Sequence, residues 1–129
     1  MKIVINACFG GFGLSPEAEI KLHKLGCSHT KTITQDTYFN ITKDEGLRKE
    51  HIECLKIPVL KNGDLIVDNH REYKARTCKN LIKVVKEMGE KANGKYSKLK
   101  IVKIPDGIKW DIDEYDGFET IEEEHRSWG

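Results

Sequence analysis

Cys8 stands just past the apolar triplet Ile3-Val4-Ile5, at the head of the glycine-dense loop Phe9-Gly10-Gly11-Phe12-Gly13. A thiol between a strand and a helix start is a candidate nucleophile, because nearby N–H groups can stabilise its thiolate. It would need an imidazole as base, from among His23, His29, His51, His70 and His125. No cysteine-enzyme signature surrounds it, so a structural thiol is the simpler reading. The loop itself could cradle a phosphate on its backbone N–H groups. It lacks the lysine of the nucleotide-binding Gly-Lys-Ser/Thr arrangement, and Gly10-Gly-Phe-Gly13 does not have the dinucleotide spacing. Glu17 and Glu19 in the following turn also repel phosphate. A tight turn in which Gly10, Gly11 and Gly13 let Phe9 and Phe12 pack accounts for the same residues.

A second constellation is basic. Arg71, Lys74, Arg76 and Lys79 follow one another closely around Tyr73. Arginine makes bidentate contacts with phosphate or carboxylate, and a tyrosine ring can stack on a base. The alternative is a solvated loop. Arg126 and Trp128 near the carboxyl end repeat the combination, with a tryptophan expected to dock on the domain or on a partner. Metal ligation is weaker: His23, Cys27, His29, His51 and Cys54 have suitable ligand types, but not the usual paired spacing. Asp111, Asp113 and Glu122 match three positions of a calcium loop whose required glycine is here Asp116, which excludes the standard loop. No metal or other cofactor is therefore expected.

These residues need elements to hold them. Lys2 to Asn6 predicts a strand covered on both faces. Ser15 as N-cap, Pro16 behind it and Gly26 as terminator bound an amphipathic helix with Ala18, Leu22 and Leu25 on one face. Thr30 to Ile41 suggests one or two strands. Thr42-Lys-Asp-Glu45 reads as a capping box, with a helix to about Cys54. Leu55 to Leu60 and Leu65 to Asp68 flank Asn62-Gly63 as a hairpin, its first arm an edge because of Pro58. Asn69 to Arg76 reads as a loop and Lys79 to Ala92 as a helix stopped by Asn93-Gly94. Strands are expected over Leu99 to Ile104 and Ile108 to Glu114, around Pro105-Asp106-Gly107. Phe118, Ile121 and His125 are spaced for a short terminal helix. The sum is an α+β domain spanning residues 1–129, with a mixed sheet and hairpins packed against two to four helices.

At 129 residues the chain can bury a core without cross-links, and its 33% charged residues fit a well-solvated surface. No apolar run approaches the roughly 20 residues that span a bilayer, and no signal-peptide layout opens the chain, so a cytoplasmic protein is expected. The four cysteines, Cys8, Cys27, Cys54 and Cys78, are scattered and expected to be free thiols. The net charge of +1 hides an asymmetry: residues 43–103 hold sixteen Lys or Arg against nine acids, and 105–124 hold nine acids and one lysine. Two mutually attractive surfaces explain this, and the near-neutral total argues against a nucleic-acid partner.

Two blocks resemble a family of small proteins from tailed phages and prophages that has no established activity. One is Lys2-Ile-Val-Ile-Asn-Ala-Cys-Phe-Gly-Gly-Phe-Gly-Leu-Ser15. The other runs from Leu81 through Glu87-Met-Gly-Glu-Lys-Ala-Asn-Gly94, Leu99-Lys-Ile-Val-Lys-Ile-Pro-Asp106 and Trp110-Asp-Ile-Asp-Glu-Tyr-Asp-Gly117 to His125-Arg-Ser-Trp128. Residues 26–75 match poorly, apart from Tyr38-Phe-Asn-Ile-Thr-Lys-Asp44. The resemblance transfers no catalytic residue. It implies an accessory protein in a bacterial host's cytoplasm, of a kind that often inhibits a host system. The resulting expectation is a non-enzymatic binding protein that holds a host protein or a small anionic, nucleotide-like signal and could form a homo-oligomer. Its contacts would come from Phe9, Gly10, Gly11, Phe12, Gly13, Arg71, Arg76, Arg126 and Trp128. The alternatives are an enzyme using Cys8 and a protein that binds or imitates nucleic acid.

Overall fold

The apolar triplet at the start of the chain divides the core in two. In the computed structural model, which describes residues 1–42 and 57–123, strand β1 (Lys2–Asn6) buries Ile3, Val4 and Ile5. Successive side chains of a strand point to opposite faces. Val4 therefore packs against two helices, while Ile3 and Ile5 pack against Ile112 of a hairpin on the other side. The expectation of a strand covered on both faces holds.

The first helix, α1 (Pro16–Lys24), starts as its sequence directs. The Ser15 hydroxyl accepts the Ala18 N–H at 3.1 Å and donates to the Lys91 carbonyl at 2.6 Å, so the cap also ties α1 to a distant turn. Gly26, at φ +70°, turns the chain after Leu25. Ala18 and Leu22 meet Leu81, Val84 and Val85 of α3 (Lys79–Met88), which continues into a 3₁₀ turn over Gly89–Ala92.

Between these helices lie β2 (Thr30–Ile33), α2 (Gln35–Thr42) and β3 (Leu65–Asp68). The stretch read as one or two strands is thus one strand and a helix. Thr34 accounts for the change, its hydroxyl accepting the Thr37 N–H at 3.1 Å as a helix cap does. The Asn62-Gly63 turn forms, and among the described residues its arms meet at a Val59–Leu65 bridge flanked by the Leu60 N–H on the Asp64 carbonyl and the Ile66 N–H on the Pro58 carbonyl, while β3 pairs in full with β2 from Thr30–Asp68 to Ile33–Leu65. The capping box beyond Thr42 and the helix to Cys54 lie outside the described residues.

β4 (Leu99–Lys103) pairs antiparallel with β1. β5 (Trp110–Tyr115) and β6 (Phe118–Glu123) form a hairpin through Asp116-Gly117, at φ +50° and +87°. Two positive φ values in a two-residue loop are those of the turn that matches strand twist. The terminal helix expected around Phe118 and Ile121 is corrected: that segment is β6. β4 and β5, expected to face each other across Pro105-Asp106-Gly107, pair instead with β1 and β6. The architecture is α+β, and among the described residues the strands form three two-stranded antiparallel ladders rather than one mixed sheet. No helix among the described residues is long and apolar enough to cross a membrane.

Candidate functional site

A buried arginine organises the centre of the molecule. Arg76, in a 3₁₀ turn over Tyr73–Thr77, is fully buried, and a guanidinium has five N–H groups to satisfy. Nε donates to the His70 carbonyl (2.8 Å). Nη1 donates to the Val4 carbonyl (3.3 Å) and to Glu119 Oε1 (2.6 Å). Nη2 donates to the Arg71 carbonyl (2.9 Å) and to Glu119 Oε2 (2.8 Å). Five donors therefore meet five acceptors, with a bidentate carboxylate among them. The Phe12 ring lies over the guanidinium, 3.6 Å from its carbon to the ring centroid. Glu119 is buried too and also accepts the Asn6 N–H at 2.8 Å.

Asn6 extends this network into the glycine loop. Its Nδ2 donates to the carbonyls of Cys8 and Gly117, and its Oδ1 accepts the Lys98 N–H. Two glycines, Gly10 in the loop and Gly117 at the hairpin tip, are needed because backbone crosses them closely. A Cβ on Gly10 would lie 1.7 Å from the Tyr96 carbonyl oxygen, and one on Gly117 would lie 2.4 Å from the Gly11 nitrogen. The hairpin tip and the Tyr96 segment thus clamp the loop, which packs Phe12 against the core and leaves Phe9 exposed.

Over this floor opens a cavity of about 570 Å³, within the range of small-molecule sites. Phe12 and Gly11 come from the loop, Arg71, Tyr73 and Lys74 from the segment after β3, and Glu114 from the hairpin. Arg71, Tyr73, Lys74 and Glu114 are exposed. Burial, with the charges of Glu119 and Glu114, pushes the Tyr73 phenol above its usual range. A second cavity of about 280 Å³ shares Phe12 and Arg71 and contains Glu19 and Asp68. Burial, reinforced by the Asp68 charge, raises the Glu19 carboxyl to about 8.

Behind the segment lies a cluster in which three described residues from different parts of the chain meet. Cys27 Sγ is 3.5 Å from His70 Nε2 and 3.6 Å from Cys78 Sγ. The Asp68 carboxylate contacts His70 Nδ1 at 2.6 Å and accepts the His70 backbone N–H at 3.0 Å. Cys27 and His70 are buried. Burial raises the Cys78 thiol, against an opposing effect from the Leu81 and Asn80 backbone at the start of α3.

The structure brings Gly11, Phe12, Arg71 and Arg76 of the expected contacts to one cavity. Arg76 is its floor, with every donor engaged inside the protein. Phe9 is exposed and rests against Phe118, ring centroids 5.2 Å apart. The Cys8 thiol donates to Asn6 Oδ1 (3.4 Å) and the Tyr96 carbonyl (3.2 Å). His70, one of the candidate bases, is placed against Cys27. Of the metal ligands considered, Cys27 is joined by His70 and Cys78, which were not in that set, while His51 and Cys54 lie outside the described residues, as do Arg126 and Trp128. Sequence reasoning missed Glu119, Asn6 and the meeting of His70 and Cys78 at Cys27. Only the acid–base complementarity of Glu119 and Arg76 could have hinted at their contact. Comparison of the chain with protein-family models, curated proteins and solved structures finds no match.

Proposed function

We propose that this is a binding protein whose ligand is a small, nucleotide-like anion seated in the larger cavity. The observation that carries this reading is the division of labour among the arginines. Arg76 is consumed by Glu119 and three carbonyls and so fixes the floor, while Arg71 and Lys74 stay exposed at the rim. A preorganised floor lowers the ordering cost of binding. Arg71 and Lys74 suit a phosphate, Tyr73 and Phe12 offer ring faces, and the rim carboxylates Glu72 and Glu114 can accept from hydroxyl or amino groups. A nucleotide presents all three kinds of group. The resemblance of both ends of the chain to phage proteins supports a setting in a bacterial host's cytoplasm.

A protein partner has its own support. Phe9, Tyr96 and Tyr115 are exposed aromatics grouped about the glycine loop and the hairpin tip. Aromatic residues are enriched at interface centres.

Native mass spectrometry of protein purified from infected cells, with calorimetry on a panel of mono- and dinucleotides, tests the assignment. Saturable binding lost in Arg71→Ala and Tyr73→Ala, with unchanged melting, is expected. Binding that survives both substitutions, or a chain that retains and binds no small molecule, overturns it; co-purification with a host protein alone favours the aromatic surface instead.

A further inference from the structure

We propose that Cys27, His70 and Cys78 are ligands of a single zinc ion. Their ligating atoms, two sulfurs and one imidazole nitrogen, lie within 4.8 Å of one another. Around tetrahedral zinc, with Zn–S of about 2.3 Å and Zn–N of about 2.0–2.1 Å, the S···S edge is about 3.8 Å and the S···N edge about 3.6 Å. The observed edges are 3.6 Å for Cys27–Cys78 and 3.5 Å for Cys27–His70. Two edges of a coordination tetrahedron are therefore in place, and the third, from His70 to Cys78, is held within 4.8 Å, so drawing those two side chains together around the ion completes the three corners.

The groups behind the ligands fit the same assignment. A carboxylate oxygen can only accept, so the 2.6 Å contact from Asp68 puts the imidazole proton on Nδ1. The Nε2 lone pair then faces Cys27, as a metal-bound histidine requires. Asp68 is itself fixed by the His70 backbone N–H. This is the carboxylate–histidine–metal arrangement that orients a ligand and raises its basicity. Two thiols with one imidazole select zinc over magnesium or calcium, which take oxygen. Binding displaces the two thiol protons, giving a thiolate pair whose charge matches the ion. A Cys–His–Asp nucleophilic triad would share part of this geometry. It would not use a second sulfur, and the Cys27 sulfur it needs is buried.

Reduced full-length protein should carry one zinc by elemental analysis, and its native mass should exceed the chain's by one zinc less two protons. Cobalt(II) replacing the zinc should give a thiolate charge-transfer band and the intense visible bands of a tetrahedral site. Cys8→Ser should keep both, while Cys27→Ser and Cys78→Ser should lose the charge-transfer intensity of one thiolate each. Asp68→Asn should weaken zinc binding by about tenfold or more. A folded wild-type chain that takes up no zinc and gives no cobalt–thiolate band overturns the site, whatever the variants do. Protein isolated without reductant that carries no metal and is two hydrogen atoms lighter, with the bond mapped to Cys27 and Cys78, would show a disulfide in its place and also overturn it.

Discussion

Glu19 gives a stability prediction whose sign is fixed by its surroundings. Its carboxyl is pushed up to about 8 in the folded protein from an ordinary value of 4.5, because burial and the Asp68 charge both disfavour the anion. The unfolded chain therefore loses this proton first on raising the pH, while the folded chain keeps it. Between 4.5 and about 8 the folded state binds more protons, so stability must fall as the pH rises through that window. A rise from 4.5 to about 8 sets a ceiling of about 5 kcal/mol on the effect. Residual solvation of a half-buried group reduces this, and about 2–3 kcal/mol is expected. Glu19→Gln keeps the shape of the neutral acid and removes the titration. Urea unfolding followed by circular dichroism, on both proteins with metal content held constant, gives the difference in stability at each pH. The variant should match wild type at the acid end and exceed it increasingly toward the alkaline end. Titrations elsewhere cancel in the difference. A difference that stays flat across the window would refute the placement of Glu19 against Asp68.

The Arg76–Glu119 pair and the hairpin tip give two more tests. Arg76→Met or Glu119→Leu alone leaves a buried charge without its partner and should cost about 3–5 kcal/mol, while the double variant should regain only part of that loss in denaturant unfolding, because the Val4, His70 and Arg71 carbonyls and the Asn6 N–H still lose their partners. Gly117→Ala puts a Cβ into the Gly11 backbone at a φ of +87° and should cost at least about 2 kcal/mol, whereas Asp116→Gly, which relieves a positive φ, should melt near the wild-type temperature.

Much of what is decided locally was legible, although the Thr34 cap of α2 was not recognised, and what depended on a distant partner was not legible. Ile3-Val4-Ile5, the Ser15–Pro16–Gly26 frame and the periodicity of α3 are each decided by neighbours a few residues away. β6 is different. Phe118 and Ile121 suit a helix by spacing, and a strand reading would put Glu119 on the inward face beside Ile121. That placement makes sense only once Arg76, 43 positions earlier, is known to be waiting there. The Asp116-Gly117 dipeptide was the local clue, since it favours a two-residue hairpin turn. Arg76 itself looks like any loop cation until the carbonyls of Val4, His70 and Arg71 converge on it. The metal ligands were hidden for the same reason: Cys27 and Cys78 stand 51 residues apart and share no spacing motif.

The zinc assignment and the cavity meet in one segment, and that connection can be measured. His70 and Cys78 are both proposed ligands, so the ion would close a loop whose exposed part carries Arg71, Tyr73 and Lys74 to the cavity rim. Arg76 already holds this loop from within, through the His70 and Arg71 carbonyls, and the ion would fasten its ends. Treating the ion as a cross-link between positions 70 and 78, nine residues inclusive, loop-closure entropy gives about 2.5 kcal/mol against opening. Trypsin reads that opening directly, because Arg71 and Lys74 are exposed cleavage sites on the clasped segment. Where reclosing outpaces cutting, cleavage follows the open population, and about 2.5 kcal/mol corresponds to a rate some tens of times faster. Removing the metal with a chelator should accelerate cleavage at these two residues by that factor. Cleavage at Lys61 in the Asn62-Gly63 turn, outside the clasp, should change far less. Equal acceleration at all three sites would mean that the metal supports the whole domain rather than this loop, and no acceleration would remove the clasp altogether.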